Sequence, residues 1–312
     1  MRLADVSQPA TGAYVTLETL IGLRFPASQL QLTRRNRALS ALAGPNKANF
    51  RGRGIDFEEV RSYQAGDDIR TIDWRVTART GAAHTKVFRE ERERPVLVVV
   101  DQRGSQFFGS QHCFKSVLAA HLAGLLAWSA LGNGDRVGGL VFNDSRHREV
   151  RPRRSRKTVL TILSQIEAFN RSLPPASGDD HSLAAMLDNL RRIARPGTSI
   201  YLVSDFYGAE DPAVREHLFR LAQHSEITAL ACADPLETEL PPAGRYAFTD
   251  GHRRAELRTA DRHLRHNYSR EQAQRMVALG TDLQRLGIPL LQASTTESPY
   301  LLLQRYFGEQ RR

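Results

Sequence analysis

The sequence predicts a doubly wound α/β fold with a mainly parallel sheet. Three observations carry that expectation. Val96-Leu97-Val98-Val99-Val100 is a continuous apolar run that stops at Asp101, as a strand buried on both faces reads. Ser199-Ile200-Tyr201-Leu202-Val203-Ser204 repeats the pattern and stops at Asp205. From Pro95 onward, strand-like runs alternate with helical periodicity, which argues for strands joined by helices packed on both faces of the sheet.

The elements follow in order. Residues 1–26 carry weak local signals, as a partly disordered segment would. Apolar residues at helical intervals over 27–43, including Leu30, Leu39 and Leu42, predict a helix that Gly44-Pro45-Asn46 ends. Residues 50–94 hold ten basic and nine acidic side chains, a balance that suits paired or solvated charges, with strand-like pieces at Arg70–Val76 and Thr85–Glu91. After the strand at 96–100, Phe114–Leu131 reads as a helix apolar nearly all round, hence buried. Arg136–Phe142 and His147–Pro152 read as antiparallel strands across Asn143-Asp144-Ser145. Helices follow at Thr158–Phe169 and Ser182–Ala194, then the strand at 199–204, a helix at Pro212–His224 and a strand at Glu226–Ala233. Residues 244–258 suit a hairpin around Asp250-Gly251. A long helix at Ser269–Leu286, a strand at Ile288–Ala293 and a helix at Pro299–Phe307 close the chain. Three regions result: an N-terminal segment (1–49), a β-rich region (50–94) and the α/β domain (95–312).

Composition narrows the classes. No run approaches the ~20 consecutive apolar residues of a spanning helix, and Met1 to Gly12 lacks the basic start and apolar stretch of a secretory signal. Cys113 and Cys232 are the two cysteines, without metal-type spacing. A reducing, cytoplasmic setting is therefore expected. The net charge is +10, and only four of the 44 basic residues are lysines. Such arginine bias can report coding composition alone, or an acidic partner.

In open α/β sheets, ligands sit outside the carboxyl ends of the strands. Asp101 and Asp205 each end a strand, so both are expected there, with Ser105 four residues beyond Asp101. Two carboxylates and a hydroxyl suit a hard cation such as Mg²⁺. Equally, each aspartate could cap the next helix or pair with an arginine.

Val96–Ser105, the step Gly134-Asp135-Arg136-Val137-Gly138, and Ser204-Asp205-Phe206 resemble a von Willebrand factor A domain. The string from Arg51 to Arg75, RGRGIDFEEVRSYQAGDDIRTIDWR, continuing to Ala78-Arg79, resembles the signature of a bacterial family of unknown function, number 58, whose members carry such a domain. The resemblance runs from about Gly44 to Phe206. It implies a protein-binding role and association with a MoxR-type AAA+ ATPase, the pair acting like a chaperone on a client protein. It also implies a metal-ion-dependent adhesion site of the form Asp-x-Ser-x-Ser, then Thr, then Asp. This chain reads Asp101-Gln102-Arg103-Gly104-Ser105, with Arg103 in place of the first serine. His181 stands at the threonine position when the chain is aligned on Leu183, with Asp180 or Ser182 as neighbours that could substitute, and Asp205 matches the last aspartate. The site is degenerate. No cofactor is expected, Mg²⁺ being the candidate if any ion binds, and Arg103, His181 and Ser182 become candidate protein-binding residues. As an alternative to an ion, Arg103 can give a forked hydrogen bond to Asp101 or Asp205.

Two further motifs admit two readings each. Asp67 to Arg75 can be a structural salt-bridge cluster, or a second binding surface with Trp74 as its anchor. Arg146–Lys157 carries seven basic residues against Glu149. It can blunt an edge strand or dock an acidic partner or phosphates, although its lack of aromatics speaks against single-stranded nucleic acid. A Walker A string, a Gly-x-Ser-x-Gly elbow and a His-Glu-x-x-His motif are all absent, so the chain is not itself expected to be the ATPase. The reading that results is a non-enzymatic adaptor. A metal-dependent phosphate-ester hydrolase using Asp101 and Asp205, and a nucleic-acid-binding protein using Arg146–Lys157, are the alternatives.

Overall fold

The computed structural model describes residues 6–32, 56–64, 71–89, 95–172, 182–249 and 254–308. Two compact units are present: residues 1–48 with 94–312, and residues 49–93.

In the larger unit, six strands form one sheet. They are β3 (Pro95–Asp101), β4 (Arg136–Phe142), β5 (His147–Arg153), β6 (Ser199–Ser204), β7 (Glu226–Ala233) and β10 (Leu290–Ser294), in the spatial order β10-β7-β6-β3-β4-β5. Every pairing is parallel except β4 with β5. The sheet is thus the mainly parallel, doubly wound one predicted, and its central strands are buried along nearly their whole length. Continuous apolar runs form here because both faces are covered, so no alternating polar face is needed.

The helix α4 (Lys115–Gly132) lies against one face of the sheet and is itself covered by α1 (Leu17–Gly22), α2 (Arg24–Ala27), α5 (Arg156–Arg171) and α10 (Pro299–Phe307). Buried on all sides, it gains nothing from an amphipathic pattern. Length and composition alone would let α4 cross a membrane, yet it is the centre of the hydrophobic core. The N-terminal segment seals its outer side. Trp128 Nε1 donates to the Leu20 carbonyl at 3.0 Å, Ser129 Oγ donates to the Leu30 carbonyl at 2.9 Å, and Val15 N–H donates to Asn170 Oδ1 at 2.8 Å. Gly124 permits this closeness, because a Cβ there would lie 3.0 Å from Leu23 Cδ1. The helix predicted over 27–43 is not helical at 28–31. Leu30 instead bridges to Gly308, and Gln31 N–H donates to the Phe307 carbonyl at 2.8 Å. Residues 33–43 lie outside the described residues.

On the opposite face pack α6 (Leu183–Ile193), α7 (Pro212–Ala222) and the C-terminal part of α9 (Arg262–Arg285), with Leu187, Leu190, Leu218 and Leu283 in the core. α9 begins earlier than its apolar periodicity suggests, because Asp261 caps it by accepting from His263 N–H and Leu264 N–H. A one-turn helix, α8 (Pro235–Thr238), follows β7. β8 (Arg245–Thr249) and β9 (Arg254–Arg258) form the expected hairpin, whose turn lies outside the described residues.

In the smaller unit, β1 (Asp56–Ser62) pairs antiparallel with β2 (His84–Arg89). Between them the strand predicted at Arg70–Val76 is replaced by the helix α3 (Trp74–Thr80). Local signals decide it. The Asp73 side chain accepts from Arg75 N–H at 3.0 Å and Val76 N–H at 3.2 Å, and Gly81 closes the helix in the left-handed conformation, φ 73°. Trp74 stands at the start of this helix, 69% exposed.

Candidate functional site

Parallel pairing of β3 with β6 in register (Val100 opposite Val203) carries both chains to the same end of the sheet. Asp101 ends β3 and is fully buried, while Ser204 ends β6 with Asp205 next. Ser204 Oγ donates to Asp101 Oδ2 at 2.7 Å. Arg103 turns back onto the same carboxylate. Its backbone N–H reaches Oδ1 at 2.9 Å, its Nε lies 3.1 Å from both oxygens, and its Nη2 is 2.8 Å from Oδ2. Nη2 also donates to the Tyr207 carbonyl at 3.1 Å and lies 3.8 Å from Asp205 Oδ1. Such a fork is the strong form of a charge-assisted hydrogen bond.

Asp205 has a second cation. Lys115 Nζ lies 2.9 Å from Asp205 Oδ2 and 2.5 Å from Glu237 Oε1. Lys115 is the first residue of α4, where the helix dipole opposes a positive charge. Its placement there is explained by the two carboxylates. The result is a row of alternating charge, Asp101–Arg103–Asp205–Lys115–Glu237. Glu237 is tied in turn to the α8 cap, since its Oε2 accepts from Asp234 N–H at 3.0 Å. Asp234 follows β7 as Asp205 follows β6. It accepts from Ser110 Oγ at 2.6 Å, Thr295 Oγ1 at 2.6 Å and Ser110 N–H at 2.9 Å.

Titration behaviour follows from these contacts. Burial alone would raise the Asp205 carboxyl, but Lys115, the Tyr207 N–H and Arg103 outweigh it and hold Asp205 below the usual carboxylate range. Burial works against the charges of Arg103 and Lys115, and their carboxylate partners more than restore them, so both are raised. Burial also raises Asp144, whose Oδ2 accepts from Gly104 N–H at 2.6 Å.

Backbone strain sits at the same place. Phe206 has φ +55° and is the one non-glycine residue with positive φ among the described residues, a conformation costing roughly 1–3 kcal/mol for such a side chain. Phe206 N–H donates to Ser204 Oγ at 2.9 Å, Tyr207 N–H donates to Asp205 Oδ1 at 3.0 Å, and Arg275 of α9 reaches the Phe206 carbonyl at 3.3 Å. The strained turn is thereby fixed and aims Tyr207 outward, where it lies under the Arg275 guanidinium. Above the charged row opens a groove of about 1950 Å³, walled by this turn, the 104–109 loop, α8 and α9.

The predicted site residues are distributed as follows. Asp101, Arg103 and Asp205 meet directly. Ser105 lies in the 104–106 turn and lines the groove, and its Oγ is buried without a hydrogen bond. Ser182 is exposed and caps α6, accepting from Ala185 N–H at 3.2 Å. His181, with Asp180, lies outside the described residues. Trp74 belongs to the smaller unit. Lys115, Glu237 and Asp234 are not among the predicted site residues. A lone lysine opening an otherwise apolar helix, and a third apolar run ending in aspartate (Ala229 to Asp234), are the signals that point to them.

An adhesion-type metal site needs Asp101 and Asp205 free to face an ion. The orphaned Ser105 hydroxyl would suit one, but Asp101 carries a guanidinium and Asp205 an ammonium. Among the described residues no three His, Cys, Asp or Glu side chains converge as a ligand set. These donors do not fit a divalent cation.

Comparison with known proteins decides the family. The profile of the family described as "Protein of unknown function DUF58" matches residues 59–278. The chain belongs to the DUF58 family. It is 30% identical over 284 residues to uncharacterized protein Rv1480 of Mycobacterium tuberculosis, and equally to uncharacterized protein Mb1516 of Mycobacterium bovis, covering 91% of this chain and 88% of each relative. Among solved structures, it is similar to BatB of Bacteroides thetaiotaomicron (14% identity, 62% of this chain and 98% of that one, TM-score 0.36). It is also similar to a von Willebrand factor type A protein of Catenulispora acidiphila (12% identity, 48% and 35%, TM-score 0.33). This DUF58 chain carries an ionic row at the strand ends of its mainly parallel six-stranded sheet.

Proposed function

We propose that this DUF58 protein is a non-enzymatic, protein-binding adaptor of the cytoplasm that partners a MoxR-type AAA+ ATPase in chaperone-like assembly of a client protein. The observation that carries this reading is the filling of both strand-end carboxylates by the protein's own cations. A degenerate adhesion site of this kind keeps the shape of a binding surface and gives up control by a metal. Chemistry finds no support at the same place. Among the described residues Ser105 Oγ has no base within hydrogen-bond reach, and burial pushes the Cys113 thiol up to about 12 and Cys232 well above its ordinary value, so neither is a ready nucleophile.

The family resemblance supports this choice of partner, and the chain carries no Walker A string of its own. Purified full-length protein is expected to retain its cognate MoxR-type ATPase in a pull-down in at least one nucleotide state. Retention should fall as salt rises, because arginine-rich surfaces contribute to association. No complex with or without nucleotide would overturn the partnership.

A further inference from the structure

β5 is the edge strand of the sheet and runs antiparallel to β4. With the turn after it and the first turn of α5, it concentrates exposed cations: Arg148, Arg151, Arg153, Arg156 and Lys157. Among the described residues, none of these five makes an ion pair. Some arginines elsewhere on the surface sit on carboxylates, as Arg171 does on Glu167, Arg192 on Asp188 and Arg245 on Glu256. Others, such as Arg258 and Arg262, stand singly among the described residues, so what sets β5 apart is the clustering of its cations. Five uncompensated cations along one edge repel one another and contribute nothing to folding by pairing. A partner of opposite charge would relieve that repulsion.

We propose that this β5 ridge is a docking surface for the acidic face of a protein partner. Two features favour a protein over a nucleic acid. Glu149 stands exposed inside the ridge, also without an ion pair among the described residues, and a phosphate polymer would set like charge against it. A protein face can set a cation opposite Glu149 and carboxylates opposite the arginines. Residues 146–157 also contain no Phe, Tyr or Trp, which leaves bases few rings to stack on besides the His147 imidazole. Docking is through side chains, not by adding a strand. Pro152 has no N–H to offer, and the register shift between Val137 and Gly139 bends the pairing. β5 is also seated tightly on β4, since a Cβ on Gly138 would lie 2.7 Å from the Val150 carbonyl oxygen.

The choice of partner rests on the adaptor reading above, and the test separates the two. Binding of the full chain to the MoxR-type ATPase, and separately to duplex DNA, is measured for wild type, for Arg148→Glu/Arg151→Glu/Arg153→Glu and for Glu149→Arg. All four positions are exposed, so unchanged melting curves are expected. The triple variant is expected to weaken the ATPase complex by roughly 10–100-fold at low salt. Glu149→Arg is expected to weaken it several-fold although it adds positive charge, with duplex DNA bound more weakly than the ATPase throughout. A complex that ignores the triple variant overturns the ridge and leaves the adaptor reading standing. Tightening by Glu149→Arg, or duplex DNA bound more tightly than the ATPase and lost in the triple variant, overturns it in favour of nucleic acid. Absence of any ATPase complex overturns both.

Discussion

Lys115→Met is expected to destabilise the protein by about 3–5 kcal/mol at pH 7, the range found when one member of a buried ion pair is removed. The methionine fills similar space, so the loss reports charge. Asp205 and Glu237 lose their shared ammonium, and Asp205 stays buried. Working out the sign gives a second signature. In the wild type, Asp205 is held below its unfolded value, near 4, so its contribution is present above that pH and is lost as pH falls through the lower, folded value. Without Lys115 the largest influence that lowers the carboxyl is gone, so Asp205 titrates higher than in the wild type and the variant regains stability relative to wild type as the solution is acidified. Lys115→Met/Asp205→Asn should be less damaged than the two single losses added together, with a coupling of about 2 kcal/mol or more. Urea unfolding of the four proteins measures this. A loss under about 1 kcal/mol at pH 7 would mean that the ammonium does not balance Asp205.

The other large effect lies far from the carboxylates. His121, in the middle of α4, is buried, and burial pushes its imidazole down to about 4. The unfolded value is about 6.5. A group whose folded value is depressed contributes stability above its unfolded value. That contribution is lost as pH falls from about 6.5 to about 4, amounting to about 3 kcal/mol over the window. His121→Leu should abolish this part of the acid sensitivity, so the stability difference between wild type and variant should change by about 3 kcal/mol between pH 7 and pH 4. Parallel pH profiles for the two proteins would show that His121 is not the group responsible. The window lies above the one in which Asp205 acts, so the two effects are separable.

Much of the fold is legible because it is written locally. Val96–Val100 and Ile200–Val203 announce doubly covered strands, and Leu118–Ala130 announces a helix with no exposed face. Arg103 could be placed near the strand-end carboxylates because it lies two residues from Asp101. What was not legible depends on distant pairing. Lys115 meets Asp205 across 90 residues and Glu237 across 122, and nothing in the spacing of a single chain points one at the other. The misread segment Arg70–Val76 fails for the opposite reason. Its alternation of residue types suits a strand, while the Asp73 cap and Gly81 stop, both local, select a helix. Ser182 shows that a residue matched by motif can have a local duty, since its hydroxyl caps α6.

The central claim is that Arg103 and Lys115 stand where a divalent ion would. A guanidinium about 5 Å from such an ion repels it by roughly 6–7 kcal/mol at an effective dielectric near 20, which exceeds the ~4 kcal/mol of a millimolar affinity. Calorimetric titration of Mg²⁺ and Mn²⁺ into the wild type, Arg103→Ser and Arg103→Ser/Lys115→Met tests it most directly. No binding is expected in the wild type. Weak binding should be detectable once Arg103 is gone, and stronger binding once Lys115 has also left Asp205. Wild-type binding at micromolar strength would contradict the account, because the ion would then have to displace both cations from carboxylates they already hold.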